Sequence, residues 1–313
     1  MLRLLAALVV LATASGLAAS GLAAQESTPL PPGVAVVSRA EWGGPPPALP
    51  MIPQVPHVLT VHHTATPQRP DRDPAETLQA LYAFSVSDGP LGDGRPKRPW
   101  ADVPYHFYIA PGGAILEARD VAFEGDTNTR YDLSGHVLIV LEGNFDVEQP
   151  TEAQLSSLFS LSEALAAQWG FGPEAVGGHA DRAPGQTACP GDALEARLGD
   201  VRAAVRRGAF QSLSGAWTLD LRPIPDADVV TYPFDVAVDA DGALTGSFYG
   251  AEILDGRVNA EWNALHLAFT TSDRAADGGI LRHEARVVGG RLEGTTYAPH
   301  RDALWVWTAT RDG

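Results

Sequence analysis

Hydrophobic residues change their spacing several times along this chain. The first pattern is a continuous apolar run, Leu4 to Leu11, preceded by Arg3 and followed by small residues ending in Gly21-Leu22-Ala23-Ala24. That run is too short for a membrane-spanning helix. Its charged start and small-residue end predict a cleaved signal peptide over residues 1–24. Residues 25–37 (QESTPLPPGVAVV) are Pro-rich and polar, and are expected to form a linker. From residue 38, short apolar runs alternate with helical spacing. Val58-Leu59-Thr60-Val61-His62-His63 and Val137 to Leu141 are β-branched, apolar runs that predict buried strands, and Tyr105 to Ile109 predicts another. Asp73-Pro74-Ala75-Glu76 predicts a helix start, with an N-cap carboxylate followed by Pro at N1. Thr151 and Gln154 form a capping-box pattern ahead of Leu155, Leu158, Phe159, Leu165 and Trp169, which recur at helical steps. Leu194, Leu198, Val201 and Val205 predict a last helix over 192–207, with Gly208 as its stop. Strands alternating with helices predict an α/β layer fold for residues 38–208.

Near residue 212 the pattern changes to strict alternation. Phe234, Val236 and Val238 alternate with Asp235 and Asp239, and Leu265, Leu267 and Phe269 alternate again. Asp241-Gly242, Asp255-Gly256 and Gly289-Gly290 are hairpin signals between such runs. About seven or eight short strands are expected over residues 212–313, as an all-β antiparallel meander closed into a small barrel, because closure removes exposed edges.

Composition narrows the partners. The chain has 313 residues and a formal net charge of −16, with 22 Lys+Arg against 38 Asp+Glu. That balance excludes nucleic-acid binding by clustered positive charge. No segment after the leader is long and apolar enough to span a bilayer, so a soluble mature chain in the periplasm or outside the cell is expected. The single cysteine, Cys189, excludes a disulfide framework. In an oxidising compartment it is either a buried structural residue or a metal ligand.

Three features carry candidate chemistry. His62 ends an apolar strand, His179 follows Gly177-Gly178, and Cys189 stands in Ala188-Cys189-Pro190-Gly191-Asp192. Two imidazoles and one thiolate suit zinc and leave a fourth position open, as a catalytic site requires. Alternation along a strand turns His63 away from His62, and His106 away from Tyr105, so both are expected to be structural or to support a ligand. His136 is expected at the surface. His57, His266, His283 and His300 lack ligand spacing.

These pieces, in this order, resemble the zinc-dependent N-acetylmuramoyl-L-alanine amidases and the peptidoglycan recognition proteins that share their fold. Ser38-Arg39-Ala40-Glu41-Trp42-Gly43 is similar to the family's opening motif, and Val61-His62-His63-Thr64 to its first ligand strand. Trp100-Ala101-Asp102-Val103-Pro104-Tyr105-His106-Phe107 resembles the segment whose Tyr faces the metal, and Glu142-Gly143-Asn144-Phe145 a central-strand end. Gly178-His179-Ala180-Asp181 and Cys189-Pro190-Gly191 resemble the remaining ligand segments. The resemblance implies a central mixed β-sheet flanked by helices, Zn2+ at His62, His179 and Cys189, and assistance by Tyr105. It implies hydrolysis of the amide between N-acetylmuramic acid and L-alanine in peptidoglycan or muropeptides. The alternative is a module that recognises muropeptides without cutting them. Thr187 stands where phage-type enzymes carry Lys, and its hydroxyl is a candidate second donor. Residues 85–98 read as an inserted loop beside the groove. Glu117 and Glu124 are candidates for the general base. In the C-terminal region, Ser214-Gly215-Ala216-Trp217 and the late Arg311 resemble the closing Trp and Arg of lipocalin- and avidin-like barrels.

Overall fold

The computed structural model describes residues 28–91, 94–222, 224, 226–262, 264–275 and 278–311. The signal peptide expected over 1–24 lies outside the described residues. Among the described residues, no helix is long and apolar enough to cross a membrane.

The first unit is built on a six-stranded mixed sheet. Its strands are β1 (Val36–Val37), β2 (Val58–His63), β3 (Phe107–Ile109), β4 (Ile115–Glu117), β5 (His136–Leu141) and β6 (Val176–Gly178), in the order β1-β4-β3-β5-β2-β6. All neighbours pair parallel except β3 with β4. β2 and β5 are central and almost wholly buried, which is why they read as continuous apolar runs rather than alternations. One face carries Leu59, Val61, Ile139 and Leu141 and packs on α2 (Glu152–Trp169) and α5 (Leu198–Gln211). The other carries Val140 and Tyr108 and packs with Trp42 and with Leu78 of α1 (Pro74–Val86). α1 starts as its sequence predicts, with Asp73 accepting from Ala75 N–H (2.9 Å). α2 has the expected reciprocal capping box, Thr151 with Gln154, and ends on Gly170 in the left-handed region.

Three expectations are corrected. Residues 28–37, read as a linker, are laid against the domain. Val36–Val37 pairs with β4 at the sheet edge, Leu30, Val34 and Val36 pack on the core, and Thr28 N–H donates to Asp120 (3.0 Å). Proline content signalled extended backbone there, but the apolar Val34 and Val36 had a core to cover. The last helix is two helices, a short α4 (Asp192–Glu195), which comes after the one-turn α3 (His179–Arg182), and α5. α5 continues past Gly208, which is not its stop but a point of close packing on α2. A Cβ at Gly208 would lie 2.0 Å from the Glu163 carbonyl oxygen. His136, expected at the surface, is buried, with Nδ1 2.9 Å from Thr60 Oγ1.

The second unit is a closed antiparallel barrel of eight strands. They are β7 (Gly215–Asp220), β8 (Thr231–Val238), β9 (Ala243–Phe248), β10 (Ala251–Asn259), β11 (His266–Ser272), β12 (Ile280–Val288), β13 (Arg291–Ala298) and β14 (Ala303–Arg311). Period-two burial puts Trp217, Leu219, Phe234, Leu267, Phe269 and Leu292 inside. One end is plugged: Phe210 in the last turn of α5 and Leu213 just after it join the barrel core, and Trp217 Nε1 donates to the Leu213 carbonyl (2.8 Å). Arg311 lies over the Trp217 ring at 5.8 Å, the contact that the opening Trp and late Arg imply.

Candidate metal centre

The site forms where the C-terminal ends of two parallel strands meet at one sheet edge, the place where open α/β sheets bind ligands. Register pairs Val61 with Gly178, so His62 at the end of β2 sits beside His179, the first residue after β6. Gly178 is required there. A Cβ on it would meet Glu195 Oε2 at 2.4 Å and Pro190 Cδ at 2.7 Å. Ala180 N–H donates to the Cys189 carbonyl (2.7 Å), which ties the histidine turn to the cysteine loop. Gly191, at φ 88°, lets that loop press on Phe145, whose carbonyl carbon would lie 2.5 Å from a Cβ.

His62, His179 and Cys189 thereby offer three ligand atoms within 4.8 Å of one another. Cys189 Sγ lies 3.6 Å from His62 Nδ1, and the two imidazole rings are 4.5 Å apart. His62 is buried, and its Nε2 has no hydrogen-bond partner among the described residues. Burial, with His179 close by, holds the His62 pKa well below its ordinary value, and burial lowers that of His179 to about 4. Both rings are therefore neutral, the form in which imidazole binds a metal. Burial pushes the Cys189 thiol up to about 12. A buried thiol of that kind ionises on meeting a cation, and the His63 backbone N–H, 3.3 Å from Sγ, is placed to stabilise the thiolate. The donor set fits a metal ion.

Tyr105, His63 and Thr187 contact residues of this cluster, whereas His106 and Glu117 have partners elsewhere. His63 turns away from His62: its Nδ1 accepts from Phe145 N–H (3.2 Å). Tyr105 packs against His62, ring centroids 5.0 Å apart, and burial raises its phenol pKa above the ordinary value. Thr187 Oγ1 accepts from Cys189 N–H (3.1 Å), so its own proton is left to donate. His106 is structural. Its Nδ1 accepts from Leu138 N–H and its Nε2 reaches the Phe123 carbonyl, each at 2.8 Å. Glu117 accepts from Arg39 N–H (2.8 Å) and braces the Ser38–Trp42 corner. Burial raises the Glu124 pKa. The segment carrying Tyr105 is clamped from both sides. Arg39 pairs with Asp102 (2.9 Å), and the buried Arg119 donates to the Val103 carbonyl (2.8 Å) and to Asp126 (2.6 Å). Ser85 and Val86 belong to α1 rather than to the loop expected over 85–98; beyond the helix, Lys97 donates to the Ser85 carbonyl (2.9 Å) and lies over the Trp100 ring.

Two residues of the site escaped sequence reasoning. Thr129 Oγ1 lies 2.7 Å from His179 Nε2, so it orients the ring and leaves Nδ1 for a metal. Tyr131 packs on His179 and His136, at 5.5 and 5.3 Å between rings, and its buried hydroxyl has no partner among the described residues. Both sit in a polar loop, Thr127-Asn128-Thr129-Arg130-Tyr131, that has no periodicity to mark them.

Residues 53–192 match the family model described as N-acetylmuramoyl-L-alanine amidase. The chain is 28% identical over 162 residues to peptidoglycan-recognition protein SC2 of Drosophila melanogaster, covering 51% of this chain and 82% of that protein. Among solved structures, Drosophila peptidoglycan recognition protein SD has a TM-score of 0.45 and 25% identity, covering 53% of this chain and 93% of that one. The N-acetylmuramoyl-L-alanine amidase LysC from Clostridium intestinale URNW has a TM-score of 0.41 and 24% identity, covering 53% and 97%. The residues that match this family model include His62, His179 and Cys189.

Proposed function

We propose that this domain hydrolyses the amide between N-acetylmuramic acid and L-alanine, in peptidoglycan or muropeptides, with zinc held by His62, His179 and Cys189. The observation that carries the reading is the convergence of two neutral imidazoles and a thiol beside Tyr105, inside the stretch that matches this family model. The donor chemistry supports zinc, which two imidazoles and one thiolate would hold with a position left open for substrate or water. The leader expected over 1–24 would deliver the enzyme to the periplasm or the exterior, where peptidoglycan lies.

When bound, zinc supplies Lewis acidity to the scissile carbonyl and to the attacking water. The protein's own residues do the rest. Burial keeps the Tyr105 hydroxyl protonated, so it donates to the oxyanion that develops on the carbonyl. The Thr187 hydroxyl is a second donor toward the same charge. Thr129 holds the His179 ring in place while charge builds beside it.

The test is to incubate the purified mature protein with muropeptides and follow the products by mass spectrometry. Hydrolysis releases free peptide and sugar. Binding without release contradicts the hydrolase and supports a recognition module. Tyr105→Phe should slow turnover about 100-fold while metal content stays at the wild-type value. Unchanged turnover would remove Tyr105 from the mechanism.

A further inference from the structure

The barrel is packed at one end and open at the other. Between the plugged end and its middle, Phe234, Leu244, Leu267, Phe269 and Leu292 fill the interior. Beyond a layer made by Phe248, His283 and Trp307, a cavity of about 900 Å³ opens. That volume lies within the roughly 300–1,000 Å³ of sites that hold small organic molecules. Its walls carry Tyr232, Phe248, Ala251, Leu281, Trp305 and Trp307. Strand alternation puts Trp305 on the same inner face as the buried Trp307 and Ala309, yet Trp305 is 43% exposed. A half-exposed indole inside a barrel is apolar surface that a guest would cover.

We propose that this cavity binds a single-chain anionic amphiphile, with its hydrocarbon body among the aromatic walls and its anionic head at the mouth. The charge distribution sets the orientation. Four charged residues line the cavity, Arg222, Arg274, Arg301 and Asp273, so cations outnumber anions three to one in a chain whose net charge is −16. Arg301 pairs with Asp273 (2.8 Å) and Arg222 with Asp220 (2.6 Å). Arg274 donates to the Gly250 carbonyl (2.8 Å), a neutral partner, and no carboxylate among the described residues forms an ion pair with it. The floor offers an ion nothing. His283 has Thr271 and Thr296 hydroxyls at 2.9 Å from its two ring nitrogens, and burial lowers its pKa to about 4, so the ring is neutral. A hydrocarbon end belongs at the floor, and a negative charge at the rim.

Calorimetric titration of the full mature chain with dodecanoate, below its micelle-forming concentration, tests this directly. One saturable site is expected, with dodecylamine binding at least about tenfold more weakly. Leu281→Trp and Ala251→Phe, which fill the cavity, should each weaken dodecanoate about tenfold or more. Arg274→Glu, on an exposed turn, should weaken dodecanoate about tenfold and leave dodecanol unchanged. Cooperative melting and metal content serve as folding controls for each variant. Absence of a saturable site in the wild type overturns the proposal, as does wild-type affinity in the folded cavity-filling variants. Equal affinity for dodecylamine, or no effect of Arg274→Glu, overturns the assignment of the anionic head.

Discussion

At the scale of single residues, the site depends on side chains that do not touch the metal position. His179 offers two nitrogens, and Thr129 decides which of them is free by occupying Nε2 at 2.7 Å. Partners of this kind typically contribute 10- to 100-fold to metal affinity, because they fix the ring and raise its basicity. Thr129→Val keeps the shape and removes the hydroxyl. It should lower zinc affinity by about 10-fold or more, read by competition against a chelator. Wild-type affinity in Thr129→Val would make the contact incidental. The proposed ligands His62 and His179 were legible because each stands at a patterned element: His62 lies near the end of an apolar strand, and His179 follows paired glycines. Thr129 and Tyr131 were not, since a polar loop shows nothing until the fold brings it over His179.

Secondary-structure elements show the same division. Strands β2 and β5 and the starts of α1 and α2 could be read because burial and capping leave local marks: unbroken apolar runs, Asp73 before Pro74, Thr151 with Gln154. Gly208 was misread because a helix-ending glycine and a helix-packing glycine look alike in sequence; only the position of α2 separates them. The difference has a measurable consequence. Gly208→Ala would drive a methyl into the Glu163 carbonyl at 2.0 Å, and should destabilise the domain by about 1–3 kcal/mol in chemical denaturation. Gly199→Ala in the same helix meets nothing within 4 Å and should be neutral or stabilising, since alanine is the better helix former. Equal effects at the two positions would contradict the packing role of Gly208. Residues 28–37 make a related point. Their prolines suggested a linker, whereas a two-strand pairing at the sheet edge depends on β4, about 80 residues away in sequence.

Across the whole molecule, the α/β unit and the barrel are joined by α5, whose Phe210 packs in the barrel core and whose Arg206 pairs with Glu261. The layer fold and the barrel were both legible from the switch in hydrophobic period near residue 212. The half-open barrel interior was not, because which inward positions leave space depends on closure and register. Each unit buries a neutral histidine: burial lowers the pKa to about 3 at His106 in the sheet domain and to about 4 at His283 in the barrel. The unfolded chain takes up those protons near pH 6.5, before the folded chain does. Stability is therefore fully present above about pH 6.5 and is lost as pH falls toward 4, by roughly 3 kcal/mol for His283. Calorimetric melting at pH 7 and pH 4.5 checks this: His283→Gln should shrink the acid-induced loss, and an unchanged loss would contradict a neutral buried ring. The central claim is that His62, His179 and Cys189 together grip one zinc ion. Its most direct test is the zinc content of folded protein by elemental mass spectrometry, for wild type and Cys189→Ala. The account predicts one zinc per chain in the wild type and none in the variant. Wild-type protein that stays empty after reconstitution, or a Cys189→Ala variant that holds a full equivalent, would contradict it.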